Sequence, residues 1–328
     1  THGLEETVKD PRSLGSCWAH GVVPASCFLR QGTSLELNLR HRGLGPQEAQ
    51  ALAAALTADP HVRRLDLRDN GLRGADVEVL ARALSKNSSI REVDLSENLL
   101  GAVGAQALCA SLMVNQVVQK VQLAGSHLEE QAAQYLAELL LARTSLTSLD
   151  LSYNQLSDEA GEILGPALAE NTGLTQLNMS WNHLRGPGAI AFAKGLEANI
   201  FLKVLDISYN GFGDPGASAV GEALKTNNVL EELNMSNNRI SAAGALSLGL
   251  GLRVNQTLRI LVVSRNPMQS EGCFAVLKSV QDNPNIQVNR EFDDLASSMK
   301  ATLPALCIKT AAHRVGYKKE LLPASDHK

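Results

Sequence analysis

Apolar residues return along this chain in one fixed pattern. Val62, Leu65, Leu67, Asn70 and Leu72 set it out: three apolar positions with gaps of two and one, then an asparagine, then another apolar residue. Moving on by 28 residues gives Ile90, Val93, Leu95, Asn98 and Leu100. The same steps reach Leu149-Asp150-Leu151 before Asn154, Leu177-Asn178-Met179 before Asn182, and Leu205-Asp206-Ile207 before Asn210. Leu233-Asn234-Met235 before Asn238 and Leu261-Val262-Val263 before Asn266 follow without an insertion. Two units replace the asparagine, with Arg42 in the first and Ser126 in the fourth. Nine units in register define a repeat architecture, in which each unit buries its apolar face only against its neighbours.

Each position has a physical reading. Alternation such as Leu65-Asp66-Leu67 has period two and predicts a short strand with its leucines turned inward. The ladder asparagines at 70, 98, 154, 182, 210, 238 and 266 follow the strands. There an amide both donates to and accepts from backbone groups that leave the strand unpaired. The second half of each unit, such as Val79-Leu80-Ala81-Arg82-Ala83-Leu84, has helical spacing. Gly104, Gly188, Gly216, Gly244 and Gly272 share one phase near the helix starts. Asparagines at 87, 115, 171, 199, 227, 255 and 283 fall near the helix ends, where a left-handed residue is expected to stop each helix. The predicted fold class is α/β: a horseshoe-shaped solenoid of strand–loop–helix–loop units with a parallel concave sheet and convex helices.

Such a stack needs caps at its ends. Residues 1–33 do not fit the repeat and carry Trp18, Val22, Val23, Phe28 and Leu29, an expected N-terminal cap. Nine repeats are expected over residues 34–285, and a C-terminal cap over 286–310. In that cap Ile286 and Val288 continue the strand register, and Phe292, Leu295 and Met299 suggest a closing helix. A basic tail, 311–328, contains His313, Arg314, Lys318, Lys319 and Lys328, and is expected to be mobile or partner-bound.

Composition narrows the function classes. The 30 Lys and Arg residues against 34 Asp and Glu leave a net charge of −4, which gives no drive towards nucleic acid or an acidic membrane. No apolar run is long enough to span a bilayer. Glu5, Glu6, Lys9, Asp10 and Arg12 break up the first residues, a pattern unlike a signal peptide. Cysteines at 17, 27, 109, 273 and 307 are odd in number and scattered, so no disulfide framework is expected. These features predict a soluble, cytoplasmic protein with reduced thiols. The chain begins at Thr1 rather than methionine, as a piece of a longer protein would.

The 28-residue period with a full helix per unit resembles the ribonuclease-inhibitor-like subfamily of leucine-rich repeats. The resemblance runs over residues 34–290. A narrower likeness, to one group of proteins that join such repeats to an N-terminal cap, runs through Cys17–Arg30, Glu36–Gly45, Leu149–Asn154 and Gly195–Asp206. The family has no established catalytic activity, so the resemblance implies a non-enzymatic interaction scaffold without cofactors. Similar cap-plus-repeat proteins include subunits of ciliary and sperm-tail assemblies, which implies a place in a large axonemal complex. Two other classes use the same repeat. Ran GTPase-activating proteins make a small-GTPase regulator the alternative, although they carry an acidic segment where this tail is basic. Ribonuclease inhibitors are richer in cysteine and more acidic on the concave surface.

Each candidate site competes with an ordinary role in the repeat. Gly211, Gly213 and Gly216 spell a dinucleotide-like G-x-G-x-x-G between a strand and a helix, with Glu231 and Glu232 downstream. Gly216 belongs to the repeat phase, however, and Glu231 and Glu232 precede the next strand, so the repeat explains the motif. The aspartates, asparagines and serines of the strands read as solvated faces. Beside them stand Tyr153, Trp181 and Tyr209, half of the chain's six Trp and Tyr residues, one per successive unit. Strand spacing places them about 5 Å apart along the sheet. They are the expected anchors for a protein partner on the concave face. Arg64 and Arg68 lie within a basic group that includes Arg40, Arg42, Arg63 and Arg91, interleaved with Asp66, Asp69, Glu92, Asp94 and Glu97. Glu232 supplies a weak opposite polarity further along. Ordinary ion pairing accounts for much of this group. The eight histidines show no metal-ligand spacing, and no nucleophile motif occurs. Cys109 and Cys273 occupy small-residue helix positions and are expected to be buried spacers. Glycosylation triplets begin at Asn87, Asn178, Asn234 and Asn255, two of them inside predicted strands.

Overall fold

Nine three-residue parallel strands alternate with nine helices in a computed structural model that describes residues 35–57, 59–142 and 144–283, with Ala19 and Cys307–Lys309. The strands are β1 (Glu36–Asn38), β2 (Arg64–Asp66), β3 (Glu92–Asp94), β4 (Lys120–Gln122), β5 (Ser148–Asp150), β6 (Gln176–Asn178), β7 (Val204–Asp206), β8 (Glu232–Asn234) and β9 (Ile260–Val262). The helices are α1 (Pro46–Thr57), α2 (Gly74–Lys86), α3 (Gly101–Val114), α4 (Glu130–Leu141), α5 (Asp158–Glu170), α6 (Gly186–Ala198), α7 (Gly213–Thr226), α8 (Ala242–Leu252) and α9 (Gln269–Gln281). Every parallel pair is in the 28-residue register, as with Leu65 beside Val93 and Leu149 beside Leu177. A tenth strand, β10 (Cys307–Lys309), runs antiparallel along β9, so that β9 is not a bare sheet edge. The expected N-terminal cap at 1–33, the expected strand and helix between Ile286 and Met299, and the tail at 311–328 lie outside the described residues.

The core is one continuous layer between sheet and helices. Leu65, Leu67, Leu72, Leu80 and Leu84 of one repeat, and their counterparts in the others, are all buried within it. Strands pack about 4.8 Å apart, while helix axes keep about 8–10 Å between them, so a stack that holds both must curve with its strands inside. Small residues bring the helices near the lower end of that range. A Cβ on Gly161 of α5 would fall 2.6 Å from the Gly188 carbonyl oxygen of α6, so α5 and α6 meet backbone to backbone.

Two columns of asparagine hold successive turns together. Asn98 shows the first: Nδ2 donates to the carbonyls of Leu67 at 3.0 Å, Leu95 at 2.9 Å and Ser96 at 3.1 Å. Its Oδ1 accepts from the amides of Asn70 at 3.1 Å and Leu72 at 3.0 Å. Both irregular repeats are accommodated. The Arg42 amide donates to Asn70 Oδ1 at 2.9 Å, and the Ser126 hydroxyl donates to the Leu95 carbonyl at 3.2 Å, the rung an asparagine would fill.

The second column corrects an expectation. The asparagines after the helices are not left-handed stops: Asn87 has φ −76° and ψ 133°, and Asn199 has −73° and 132°. None of the seven has a positive φ. They are buried and bond backward to the preceding turn. Asn115 Nδ2 donates to the carbonyls of Leu84 at 2.7 Å and Asn87 at 2.9 Å, while Oδ1 accepts from the amides of Val117 and Val118. A second ladder thus runs along the helix exits.

Candidate functional site

A regular row of left-handed residues lies instead at the strand exits. His41, Asp69, Glu97, Gly125, Tyr153, Trp181, Tyr209, Asn237 and Arg265 occupy one repeat position, each immediately before the ladder position, and all have φ between 50° and 61°. The amide of each of the first eight donates to a carbonyl of the next repeat, as from Tyr153 to Ser180 at 3.0 Å and from Trp181 to Ser208 at 2.9 Å. That bond holds a conformation which L-residues otherwise seldom adopt. These nine positions therefore form a row along the rim where the strands end.

Tyr153, Trp181 and Tyr209 meet in this row. The rings of Tyr153 and Trp181 stack with centroids 5.0 Å apart and planes 12° from parallel. Trp181 and Tyr209 stack at 3.8 Å and 10°. Tyr153 is 58% exposed and Trp181 42%, so this stack is a solvent-facing surface and not core. Burial against its neighbours pushes the Tyr153 phenol above its usual range, with Tyr209 and the Asp206 carboxylate adding to the effect. At the far end, Arg265 Nη1 donates to the Tyr209 hydroxyl at 2.7 Å.

This location refines the expected concave stripe. The concave floor is a trough of about 430 Å³, lined by Arg64, Glu92, Asp94, Lys120, Asp150, Asn178 and Asp206 among others, and none of the three rings lines it. The rings stand at its edge. Strand aspartates and asparagines on the floor are less free than a solvated face implies. Asp94 Oδ1 accepts from the Ser96 amide at 2.9 Å, and Asp150 and Asp206 do the same with Ser152 and Ser208.

The N-terminal basic group is largely spent on internal pairs. Arg68 reaches Asp94 at 2.9 Å, and Arg40 reaches Asp66 at 2.8 Å. Both carboxylates are buried, Asp66 at 0% and Asp94 at 2% exposure. Burial opposes the Arg68 charge, but the hydrogen bond and charge of Asp94, with Asp66 and Glu97 behind it, leave its pKa above the ordinary value. Arg64 sits 3.8 Å from Glu36 and remains on the trough wall. Glu232 is half-buried on β8, in register with Val204 and Ile260 and well removed from both arginines.

The other candidates resolve into framework. Between Gly211 and Gly216 the turn is occupied: a Cβ on Gly211 would meet Arg185 Cγ at 2.5 Å, and one on Gly216 would meet Phe212 Cβ at 2.8 Å. Cys109 is buried, and burial with the nearby Glu138 charge pushes its thiol up to about 12. Cys273, expected to be buried, is only half-buried on α9. Asn87 and Asn255 are buried rungs of the second ladder, so their glycosylation triplets are out of reach in the folded chain. Among the described residues, no group of three His, Cys, Asp or Glu side chains is placed to hold a metal ion, and no helix is long and apolar enough to cross a membrane. What residue-by-residue reading missed was the second ladder and the left-handed row. Comparing one position across all nine repeats is the signal that finds the row.

Several known proteins are similar to this chain. Leucine-rich repeat-containing protein 74B of Homo sapiens is 76% identical over 64 residues, 20% of this chain and 16% of that protein. Its Mus musculus counterpart is 65% identical over 64 residues, again 20% of this chain and 16% of that protein. The matched stretch is thus about a sixth of the length of these relatives. A solved structure, the TLR13–ssRNA13 complex, is similar at 17% identity with a TM-score of 0.44, covering 70% of this chain and 33% of that chain. The family model described as Leucine Rich repeat matches residues 58–81, 86–109, 143–164, 170–193, 198–221, 226–249 and 254–277, together just over half of the chain. The chain belongs to the leucine-rich repeat family.

Proposed function

We propose that the chain is a non-catalytic scaffold that docks a protein partner along the strand-exit rim and the adjoining concave trough. One observation carries this reading: three large rings are stacked on each other in the open, at a place where the fold needs no ring. The same backbone position is filled elsewhere by His41, Asp69, Glu97, Asn237 and Arg265. Exposed, rigid aromatic side chains bury large areas on contact at small entropic cost, which is why they anchor protein interfaces. Tyr153, Trp181 and Tyr209 are the anchors, with Arg64 on the trough wall as a charged contact and the half-exposed Arg68 and Glu232 as further charged contacts outside its lining. The likeness to cap-plus-repeat proteins of cilia and sperm tails supports a partner within an axonemal assembly.

The test is a cross-linked pull-down from ciliated or testis tissue, comparing the wild-type chain with the Tyr153→Ala/Trp181→Ala/Tyr209→Ala variant after circular dichroism shows both folded. An axonemal protein recovered by the wild-type chain and lost with the variant is the expected result. Equal recovery with both baits overturns the rim as the docking edge. Acceleration of GTP hydrolysis by a small GTPase would replace the scaffold reading with the regulator.

A further inference from the structure

The rim row has one gap. In the fourth repeat the left-handed position is Gly125, with φ 61° and its amide donating to the Ser152 carbonyl at 2.9 Å, the same backbone arrangement as its neighbours. The three atoms nearest to a Cβ placed there all belong to Glu97, the closest being Cγ at 3.7 Å. The flanking row members, Glu97 and Tyr153, are two strand spacings apart, about 10 Å. Tyr153 gives one ring face to Trp181. Its other face is on the side of Gly125, which has no side chain of its own and is bordered by that of Glu97.

Two acidic residues, Glu97 and Asp150, stand beside this gap. Glu97 is exposed and enters no ion pair among the described residues. Asp150, on the strand next to the gap, accepts the Ser152 amide and meets no cation there. Arg68, on which the Glu97 charge also acts, is paired with Asp94, and Lys120 is paired with Glu92. At the other end the ring row is already closed by the chain's own Arg265 on the Tyr209 hydroxyl.

We propose that the gap at Gly125 is a slot for an arginine side chain of the docked protein partner. This rests on the rim being the docking edge. The guanidinium stacks flat on the free face of Tyr153, within the distance over which a cation is drawn to a ring. Its in-plane N–H groups remain free to donate to the Glu97 carboxylate. A lysine ammonium offers no flat face to the ring, and a phosphate meets the wrong charge.

The experiment is selection of a random peptide library on the folded wild-type chain, followed by affinity measurements on the selected peptides. Enrichment of arginine is expected, with about tenfold weaker binding when that arginine becomes glutamine. Gly125→Tyr, which fills the slot with a fourth ring at a backbone position that already accepts Tyr and Trp, is expected to weaken binding about as much, and so is Glu97→Gln. Circular dichroism establishes that each variant is folded. Peptides that lose binding to the Tyr153→Ala/Trp181→Ala/Tyr209→Ala variant but bind Gly125→Tyr and Glu97→Gln normally overturn the slot and leave the rim standing. Peptides insensitive to all three variants overturn both. Lysine serving as well as arginine, or a selection that yields no binder, also overturns the slot.

Discussion

The first three repeats and the fifth to seventh carry opposite chemistry on one backbone position. His41, Asp69 and Glu97 put titratable groups on the rim, and His41 Nδ1 lies 2.7 Å from Asp69 Oδ2. Tyr153, Trp181 and Tyr209 put a solvent-facing ring stack there. The backbone does not register the difference: φ is 50–58° in the first group and 54–55° in the second. Where the following residue is a ladder asparagine it makes the same bonds in both regions, as Asn98 and Asn154 show. The ladder holds the fold, so the row is free to vary, and a surface can be built on it without renegotiating the core.

The sharpest way to break this comparison is to remove one rung in each region. Asn98→Ala and Asn154→Ala each leave several buried backbone groups unpaired, and each is expected to cost about 3 kcal/mol or more, measured by urea denaturation. A much larger loss for one than the other would show that the ladder is not shared equally. Next comes the row itself. Trp181→Ala, which removes two ring contacts, is expected to cost about 1–2 kcal/mol, whereas Asp69→Ala at the same position is expected to cost under about 0.5 kcal/mol. Thermal denaturation of the two variants checks the contrast, and equal losses would mean that the rings add nothing beyond a side chain of any kind.

Arg68→Ala leaves the buried Asp94 carboxylate without its cation, at an expected cost of about 1 kcal/mol. Glu36→Gln, at the looser and exposed Arg64 pair, is expected to shift the urea midpoint by less than can be resolved. The smallest effect is alkaline. The raised Tyr153 phenol keeps its proton in the folded state above its usual value of 10, where the unfolded chain has lost it. The folded state then holds more protons than the unfolded one, so stability falls as the pH rises through that range. Tyr153→Phe should remove this part of the slope in a series of urea midpoints.

How much of this is legible in the chain depends on where the deciding contact lies. Strand and helix are readable because Leu65-Asp66-Leu67 and Val79–Leu84 carry periods of two and of about 3.6 within a few residues. The asparagines after the helices defeat a local reading because a left-handed stop and a buried extended rung share one residue type. What separates them is a carbonyl 31 residues back, such as Leu84 for Asn115. The ring trio is visible as one aromatic per repeat, but its place on the rim is not. Asp, Glu, Tyr and Trp give no local sign of a positive φ, which here is held by amide bonds to the next repeat.

By itself, then, the sequence determined the period, the parallel register and which side chains face inward, since each follows from hydrophobic spacing repeated every 28 residues. Only the tertiary structure decided that the helix-end asparagines form a second ladder, that the rings stack at the edge of the trough, and that Gly125 leaves a gap beside them. Each of these depends on a partner one repeat away. Stacking the turns brings that partner within hydrogen-bonding or van der Waals distance, and no local pattern in the chain records it.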